Sequence, residues 1–207
     1  MKRQILALLA IFTFGTFLFT SCETDDAVIT LKGDNPAVFD LGQDFVEPGF
    51  EVEGGNEDDV EVAWSPAYNK NVVQEYIATY SLETASSVER KVHVSSKLLA
   101  GTYNVSDTGL ANDYQNTVTQ STEVFNRLII SNFLDFETAI TVTAIVDGTS
   151  ITVPKHTPSG WGAGETVEAT GSYNGETKTL TTFEYTIIEI FDGETVESTG
   201  TLTFTKL

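Results

Sequence analysis

Short runs of apolar and β-branched residues alternate along this chain with clusters of Gly, Asn, Asp and Pro. In the run over residues 72–80, Tyr76, Ala78 and Tyr80 share one face, and the residues between them point the other way. A period of two is typical of a strand with one buried face. No long segment has a helical period, so the pattern predicts an all-β protein.

The region that begins at residue 27 contains several such runs, separated by turn-forming residues. They cover residues 27–31, 37–41, 49–53, 60–64, 72–80 and 88–94. Short strands at regular spacing are typical of a β-sandwich. A short polar joint at 95–97 follows the last run, so we expect a first domain over residues 27–95.

A second series of runs follows the joint. They cover residues 98–107, 113–121, 124–133, 139–146, 149–153, 166–173, 179–190 and 195–206. Three dipeptides between them are strong signals for two-residue hairpin turns. The dipeptides are Asp147-Gly148, Asn174-Gly175 and Asp192-Gly193. Sequential hairpins predict a meander, and strands with one apolar face can hide their edges by closing, so we predict an antiparallel, eight-stranded up-and-down β-barrel over residues 97–207.

The chain begins with a different pattern. Lys2 and Arg3 supply positive charge, and residues 5–19 form an apolar run with no charged side chain. The run is short for a membrane-spanning helix, which needs about 20 apolar residues, and its build is that of a secretory signal peptide. Small residues at positions 20 and 21 precede Cys22, the single cysteine of the chain.

The segment LFTSC, residues 18–22, resembles the lipobox of bacterial lipoproteins, although Phe19 stands where leucine is commoner. The resemblance implies that residues 1–21 are a lipoprotein signal peptide and that Cys22 is lipidated and becomes the mature N-terminus. The acidic start ETDD after Cys22 resembles the surface-export signal of Bacteroides-type lipoproteins. It implies an acidic tether over residues 22–26 and a lipid anchor in the cell outer membrane, facing the exterior. The alternative is an ordinary secretory signal with an unrelated cysteine.

Two longer resemblances accompany these patterns. The pieces ITLKGDNP, VFDLGQDFVEPGFEVEG, EYIATYSLE and ERKVHV, within residues 27–95, resemble bacterial immunoglobulin-like domains of unknown function, with a departure at 81–87. The pieces LAGTYNVSD, YNGETKTLTTFEYTI and GTLTFTK, within residues 97–207, resemble the lipocalin-like C-terminal domain of two-domain Bacteroides lipoproteins. Together they imply an immunoglobulin-like sandwich followed by a lipocalin-like or calycin-like barrel. They also imply that the first module is a spacer or an adhesion module.

The chain is strongly acidic, with 11 Lys and Arg residues against 30 Asp and Glu residues and a formal net charge of -19. Such a surface repels phosphate backbones, so we expect no nucleic-acid partner. It also repels anionic lipid headgroups, which leaves the N-terminal lipid as the attachment to the membrane. A single cysteine excludes an internal disulfide, so stability has to come from burial within sheets.

Residues suited to catalysis are sparse. His93 and His156 are the two histidines, and the chain has no nucleophile elbow, HExxH, CxxC or phosphate-binding glycine loop. We therefore predict a protein that is not an enzyme and carries no cofactor, with a small hydrolase as the less favoured alternative. The acidic loop with Glu53, Glu57, Asp58 and Asp59 offers oxygen ligands for calcium but lacks the ordered DxDxDG spacing, so we interpret it as a solvated turn and predict no metal site.

Trp161 is the main candidate for ligand contact. It lies in the segment HTPSGWGAGE, where glycine and small polar residues would display its ring. Sugar rings stack on such aromatic faces, although a tryptophan in this position could instead plug the barrel mouth. Tyr114 and Tyr173, near other turns, are weaker candidates of the same type.

The sequence thus predicts a surface-anchored, non-enzymatic binding or accessory lipoprotein. Resemblance to nutrient-acquiring Bacteroides lipoproteins makes a glycan the first ligand class to consider. The alternative is a protein-interaction module that acts in adhesion or as an inhibitor, with a surface protein as its partner.

Overall fold

The computed structural model describes residues 26–136 and 140–207. The predicted signal peptide, residues 1–21, and the predicted lipidation site Cys22 lie outside the described residues, as does the tether up to residue 25. In the described part of the chain, no helix has both the length and the apolar character needed to cross a membrane.

The described residues are mostly strands, joined by tight turns and short 3-10 turns. The strands are β1 (Val28–Leu31), β2 (Ala37–Asp40), β3 (Phe50–Glu53), β4 (Glu61–Ser65), β5 (Glu75–Ser81), β6 (Val88–Ser95), β7 (Gly101–Asp107), β8 (Tyr114–Gln120), β9 (Arg127–Ser131), β10 (Thr141–Asp147), β11 (Ser150–His156), β12 (Thr166–Asn174), β13 (Thr179–Phe191) and β14 (Glu194–Lys206). The all-β fold class is therefore confirmed. Each predicted run contains one strand, and the differences are confined to the strand ends.

Strands β1 to β6, the N-terminal region, form two sheets that pack on each other. β1 pairs antiparallel with β3, and the second sheet has the order β2-β6-β5-β4, in which β2 is parallel to β6. Ile29 on β1 packs with Ala78 and Tyr80 on β5 in one buried cluster. The apolar face predicted for β5 is confirmed, since Tyr76, Ala78 and Tyr80 are fully buried. The immunoglobulin-like identity of this region stays a prediction.

Strands β7 to β14 form a closed barrel in which sequence neighbours pair antiparallel. The ring closes where β14 pairs with β7, with Phe204 opposite Val105. A meander of eight strands that closes on itself is the up-and-down barrel that the sequence predicts. Its lipocalin-like identity stays a prediction.

The turn between β13 and β14 confirms one of the hairpin signals. Phe191 pairs with Glu194, and the two central residues, Asp192 and Gly193, both have positive φ, at 52° and 83°. This backbone is the primed turn whose twist matches that of the flanking strands.

The two-residue turn predicted at Asp147-Gly148 is present, but it lies one residue further along the chain. Asp147 pairs with Ser150, so the turn between β10 and β11 is formed by Gly148 and Thr149. Gly148 has a φ of 62°, a conformation that glycine adopts without steric cost.

The prediction of a two-residue turn at Asn174-Gly175 is wrong. Asn174 pairs with Thr179, so the connection between β12 and β13 spans residues 175–178. The side-chain oxygen of Asn174 accepts hydrogen bonds from the next backbone N–H groups, at 2.9 and 3.1 Å. Asn174 therefore supports a longer turn through its side chain instead of entering a primed turn.

The barrel interior is packed with side chains rather than open. Tyr103, Phe183 and Phe204 are inward-facing and pack against one another, with the Phe183 and Phe204 ring centroids 4.7 Å apart. A barrel of eight strands is just wide enough for side chains to fill it. Gly171 on β12 lies directly opposite Phe183 and leaves room for its ring, because a Cβ atom at Gly171 would overlap it.

The N-terminal region and the barrel share one hydrophobic core. Phe39 on β2 and Val94 on β6 belong to the same buried cluster as Leu99, which precedes the barrel. The connection is a 3-10 turn, Ser96–Leu99, that follows β6 directly. The predicted domain boundary at 95–97 stays a prediction, and buried side chains continue across it.

Candidate functional site

The barrel has two different ends. At one of them the Gly148 N–H donates to the Val73 carbonyl at 3.0 Å, so this end lies against the N-terminal region. Because strand direction alternates around a meander, every second loop lies at the same end, and the loops that alternate with the one at Gly148 lie at the opposite end. They are residues 108–113, 132–136, 157–165 and 192–193, and we call this the distal end.

Trp161 lies at the distal end, in the loop between β11 and β12. Its ring is partly buried and packs edge-to-face on Phe136, with centroids 4.8 Å apart and an interplanar angle of 82°. The backbone N–H of Trp161 donates to the Pro158 carbonyl at 3.1 Å. The Glu165 carboxylate accepts a hydrogen bond from the backbone N–H of Gly162 at 2.6 Å. The loop therefore holds the ring against the barrel rim while part of the ring stays accessible.

The barrel mouth beside Trp161 is closed by other residues. Phe133 and Leu134 are almost fully buried and belong to the barrel core. The chain reaches this position through left-handed backbone at Asn132, Leu134 and Asp135, which have φ of 57°, 59° and 58°. Such backbone is strained for residues other than glycine, so burial of two large apolar side chains has to offset it. Phe133 and Leu134 therefore belong to the core on which Trp161 packs, and the interpretation of Trp161 as a plug stays a prediction.

A polar cluster is buried inside the distal end. The Asp107 carboxylate is only 6% exposed, and it accepts hydrogen bonds from the Tyr185 hydroxyl at 3.0 Å and the Gly109 N–H at 2.8 Å. Burial raises the pKa of Tyr185 to about 12, and the hydrogen bond to Asp107 and its charge act in the same direction. Tyr185 therefore stays a neutral donor, which is what a buried carboxylate requires.

Tyr114 belongs to the same buried layer. The residue is 7% exposed, and in the described part of the chain its buried hydroxyl has no hydrogen-bond partner of normal geometry. Burial raises the pKa of Tyr114, and the charge of Asp107 adds to this, while the nearby Leu134 backbone opposes it. Tyr114 faces inward, on the same face of β8 as the buried residues Asn116 and Val118. Its position near a turn therefore does not expose it to a ligand.

Tyr173 lies at the opposite end of the barrel from Trp161. Its hydroxyl donates to the Gly148 carbonyl at 2.7 Å and accepts from the Val73 N–H at 2.8 Å. Burial raises the pKa of Tyr173 to about 12, with the Val73 hydrogen bond opposing the shift. Tyr173 clamps the barrel to the N-terminal region, so the three predicted ligand residues do not form one site.

Tyr173→Phe should lower the free energy of unfolding by about 1–3 kcal/mol, because it leaves the buried Val73 N–H and the partly buried Gly148 carbonyl without this partner. Urea denaturation, followed by tyrosine and tryptophan fluorescence, measures the change. Tyr103→Phe is the matched control, since its hydroxyl donates to the Leu99 carbonyl at 2.7 Å without bridging to residues 27–95. If Tyr173 clamps the two regions together, Tyr173→Phe should split the urea transition into separate steps for the N-terminal region and the barrel, and Tyr103→Phe should not. A single transition with the wild-type midpoint in Tyr173→Phe would contradict the clamp role.

Neither histidine is among the described hydrogen-bond partners of Asp107 and Tyr185. His93 Nε2 is 2.9 Å from Glu75 Oε2, and its ring stacks on Phe125 of the barrel at 3.9 Å between centroids. Hydrogen bonds from His93 and then Lys91 lower the pKa of Glu75. His156 Nδ1 is 2.8 Å from its neighbour, the Pro154 carbonyl. His93 thus links the two regions, and neither histidine lies beside a candidate nucleophile in the described contacts.

The acidic turn before β4 is exposed. Glu57, Asp58 and Asp59 form one 3-10 turn, and the Asn56 side chain accepts from the Asp58 N–H at 3.3 Å as a cap. Among residues 26–136 and 140–207, no group of three or more His, Cys, Asp or Glu side chains is arranged to hold a metal ion.

Sequence reasoning missed two features that concern function. Arg90 is fully buried in the N-terminal region, although basic residues are almost never buried without partners. The hairpin of β13 and β14 extends beyond the barrel, where Ile190 and Phe191 are exposed. The signal for it was present, since an apolar pair stands next to the turn dipeptide Asp192-Gly193.

Comparison with known proteins assigns no family. No protein-family model matches the chain, and no curated protein matches it either. Among solved structures, the crystal structure of a lipoprotein from Bacteroides thetaiotaomicron is similar to it, with 19% sequence identity over 86% of this chain and 99% of that chain, and a TM-score of 0.32. At this identity and TM-score the similarity assigns no function to the chain.

Proposed function

We propose that this protein is a lipid-anchored, non-enzymatic binding lipoprotein of the cell outer membrane. The N-terminal region is its stalk, and the distal end of the barrel is its working face. The single observation that carries the proposal is the placement of the chain's first described residues, at the end of the stalk remote from the barrel.

The tether would join the stalk beside the loop between β5 and β6. Ala27 bridges Ala85, and its N–H donates to the Thr84 carbonyl at 3.0 Å. Strand β5 has 7 residues, so this loop lies roughly 20 Å along the strand from its other end, at about 3.3 Å per residue.

The other end of β5 and β6 faces the barrel. Glu75 pairs with His93 there, and the His93 ring stacks on Phe125. A lipid on Cys22 would therefore leave the stalk between the membrane and the barrel. The distal end, with Trp161, would then be the part farthest from the membrane.

A partly accessible tryptophan on a rigid rim supports a glycan as the first ligand class. The Trp161 ring offers a flat apolar surface, and Glu165, in the same loop, lies four residues further along the chain as a polar partner. Aromatic faces of this kind stack on sugar CH groups. Contact with a surface protein is the second candidate function, because Ile190, Phe191 and Val196 are exposed on the neighbouring hairpin.

Cys22→Ala should release the protein from membranes or leave it with its signal peptide uncleaved, because two or more acyl chains are needed for stable anchoring. Membrane fractionation and metabolic labelling with a fatty acid measure the change. Thr20→Ala, which keeps a small residue before the cysteine, is the matched control. Unchanged fractionation and labelling in Cys22→Ala would show that Cys22 is not the anchor.

Trp161→Ala should lower the free energy of unfolding by about 1–2 kcal/mol, since it removes one edge-to-face pair and a partly buried ring. The same variant should weaken binding about tenfold, or about 1.4 kcal/mol, for any glycan that the wild type binds on a glycan array. Trp161→Phe keeps an aromatic face and should retain part of the affinity.

The competing role of Trp161 as a core residue predicts a different result. Full burial of a tryptophan would make its loss cost about 3–5 kcal/mol. A loss of that size, with glycan affinity unchanged, would reject the binding role. If the wild-type protein purified in detergent binds no glycan on the array, the glycan class itself is rejected.

A further inference from the structure

The hairpin of β13 and β14 projects beyond the barrel rim at the distal end. Each strand has 13 residues, but β7 pairs with β14 only from Leu202 onward, and β12 pairs with β13 only up to Ile188. Residues 189–199 therefore pair only along the ladder between β13 and β14, and we call them the distal hairpin.

One edge of the distal hairpin, along β14, is open. Thr108 N–H donates to the Thr201 carbonyl at 3.1 Å, and Thr201 N–H donates to Thr108 Oγ1 at 2.9 Å, so Thr201 turns its backbone groups toward β7. Alternate residues of an antiparallel strand share this orientation. The next ones toward the tip are Thr199, Glu197 and Thr195, and in the described chain no hydrogen bond reaches their N–H or C=O groups on this edge.

The other edge, along β13, is covered. Glu165 Oε1 accepts from the Ile190 N–H at 3.4 Å, and Gly164 lies directly against the Ile190 side chain. The loop that holds Trp161 therefore protects β13. Unpaired strand edges are templates for strand addition, so the open edge of β14 is the one available for it.

The charge of the distal hairpin defines its partner. Its charged residues are Glu189, Asp192, Glu194 and Glu197, and all are acidic. Edge-to-edge pairing of two copies would bring Glu197 close to its own counterpart, in chains that each carry a net charge of -19. Like charges across a strand pair are destabilising, whereas Lys or Arg opposite Glu is favourable. The edge is therefore suited to a basic strand and not to a second copy.

We propose that the open edge of β14, at Thr195, Glu197 and Thr199, adds an extended basic segment of a partner protein as a further strand. Main-chain hydrogen bonds to these residues give the affinity, and Glu197 selects Lys or Arg on the added strand. Exposed Phe191 and Val196 supply apolar contact next to it. The site is separate from Trp161 and does not depend on glycan binding.

The test uses the full-length protein in detergent and a blocked peptide of alternating Lys and Val, about nine residues long, which spans the edge at about 3.3 Å per residue. Saturating peptide should slow amide hydrogen exchange of Thr195, Glu197 and Thr199 at least tenfold, because those N–H groups become hydrogen-bonded. A peptide of the same sequence with an N-methyl group on every backbone nitrogen keeps the charge but has no backbone N–H on either edge, and it should bind at least tenfold more weakly.

Two pairs of variants separate strand addition from charge attraction. Glu197→Pro removes an N–H on the open edge but no bond to β13, so it should abolish binding, and Glu197→Gln, which keeps that N–H, should weaken binding only partly. Glu197→Lys should reduce the affinity at least tenfold. Glu184→Lys changes the net charge equally at an exposed position of β13 and should reduce it less than threefold.

Several outcomes would overturn the proposal. They are equal affinity for the N-methylated peptide, equal losses in Glu197→Lys and Glu184→Lys, or no binding of the unmodified peptide at millimolar concentration. A dimer in analytical ultracentrifugation that Glu197→Pro abolishes would also overturn it, because the edge would then serve a second copy of the chain.

Discussion

Arg90→Met should lower the free energy of unfolding by about 3–5 kcal/mol, because it removes one partner of a buried polar network. The Arg90 side chain is fully buried. Its guanidinium donates to the backbone carbonyls of Lys32 at 2.8 Å, Asp34 at 2.9 Å and Gly49 at 2.9 Å. Methionine fills a similar volume but leaves the Lys32 and Asp34 carbonyls and the Glu47 carboxylate without this donor, which costs desolvation free energy. The Gly49 carbonyl keeps the hydrogen bond from the Lys32 N–H at 2.9 Å.

Two further side chains complete the network around Arg90. Its Nη2 lies 3.3 Å from Glu47 Oε1, and the Tyr80 hydroxyl donates to the other Glu47 oxygen. Burial raises the pKa of Tyr80 to about 12, and its hydrogen bond to Glu47 adds to the shift. One guanidinium thus joins β5, β6 and two loops of the N-terminal region.

Chemical denaturation of Arg90→Met should be compared with two controls. Lys91→Met changes the neighbouring, exposed residue, whose contact is an exposed pair with Glu75, so it should change stability by about 0.5 kcal/mol or less. Arg90→Lys keeps the charge but cannot reproduce the planar set of donors, so it should not restore stability. Wild-type stability in Arg90→Met would show that the network is not structural.

Gly171→Ala should destabilise the barrel by about 3 kcal/mol, because its methyl group would overlap the Phe183 ring and overpacked cores relax only partly. Gly171 and Phe183 are direct partners on β12 and β13. Thermal and chemical denaturation both measure the loss.

The double variant Gly171→Ala with Phe183→Leu identifies the cause of that loss. Leucine lacks the ring edge that meets the new methyl group, so the two changes should be coupled by about 1 kcal/mol or more. Gly162→Ala is the control, since a Cβ atom there would meet only the far end of the long Glu165 side chain, and it should change stability by about 1 kcal/mol or less. Additive effects of the two barrel changes would reject the overlap as the cause.

The strands could be predicted from the sequence because the alternation of buried and exposed residues is itself a local pattern. The turn at Asn174 could not, since Asn followed by Gly suits a primed turn and an Asn-supported longer turn equally well. The end of β9 at Ser131 was also unpredictable. Phe133 continues the apolar run, and only tertiary packing makes the chain leave the strand and bury it.

The candidate site was predicted less well than the fold. The sequence places Trp161 correctly in a loop, but it cannot say whether Phe133 or Trp161 closes the mouth, because that depends on contacts between segments distant in sequence. Tyr173 and Tyr114 lie near strand ends, and proximity to a turn does not reveal which way a side chain points. Arg90 alternates in phase with the buried Val92 and Val94 on β6, but its charge favours exposure. Its burial follows from partners on two loops that are distant in sequence.

The pairing of β14 with β7 has a consequence for how the chain folds. Lys206 Nζ donates to the Leu98 carbonyl, a contact between residues 108 apart in sequence. Bringing such distant segments together costs chain entropy before the new contacts offset that cost. Folding of β topologies of this kind therefore takes on the order of milliseconds to seconds. Until β14 has docked, the apolar lining of the barrel and two strand edges remain open to other chains. Closure of the ring is therefore the step at which the folding chain stops being prone to aggregation.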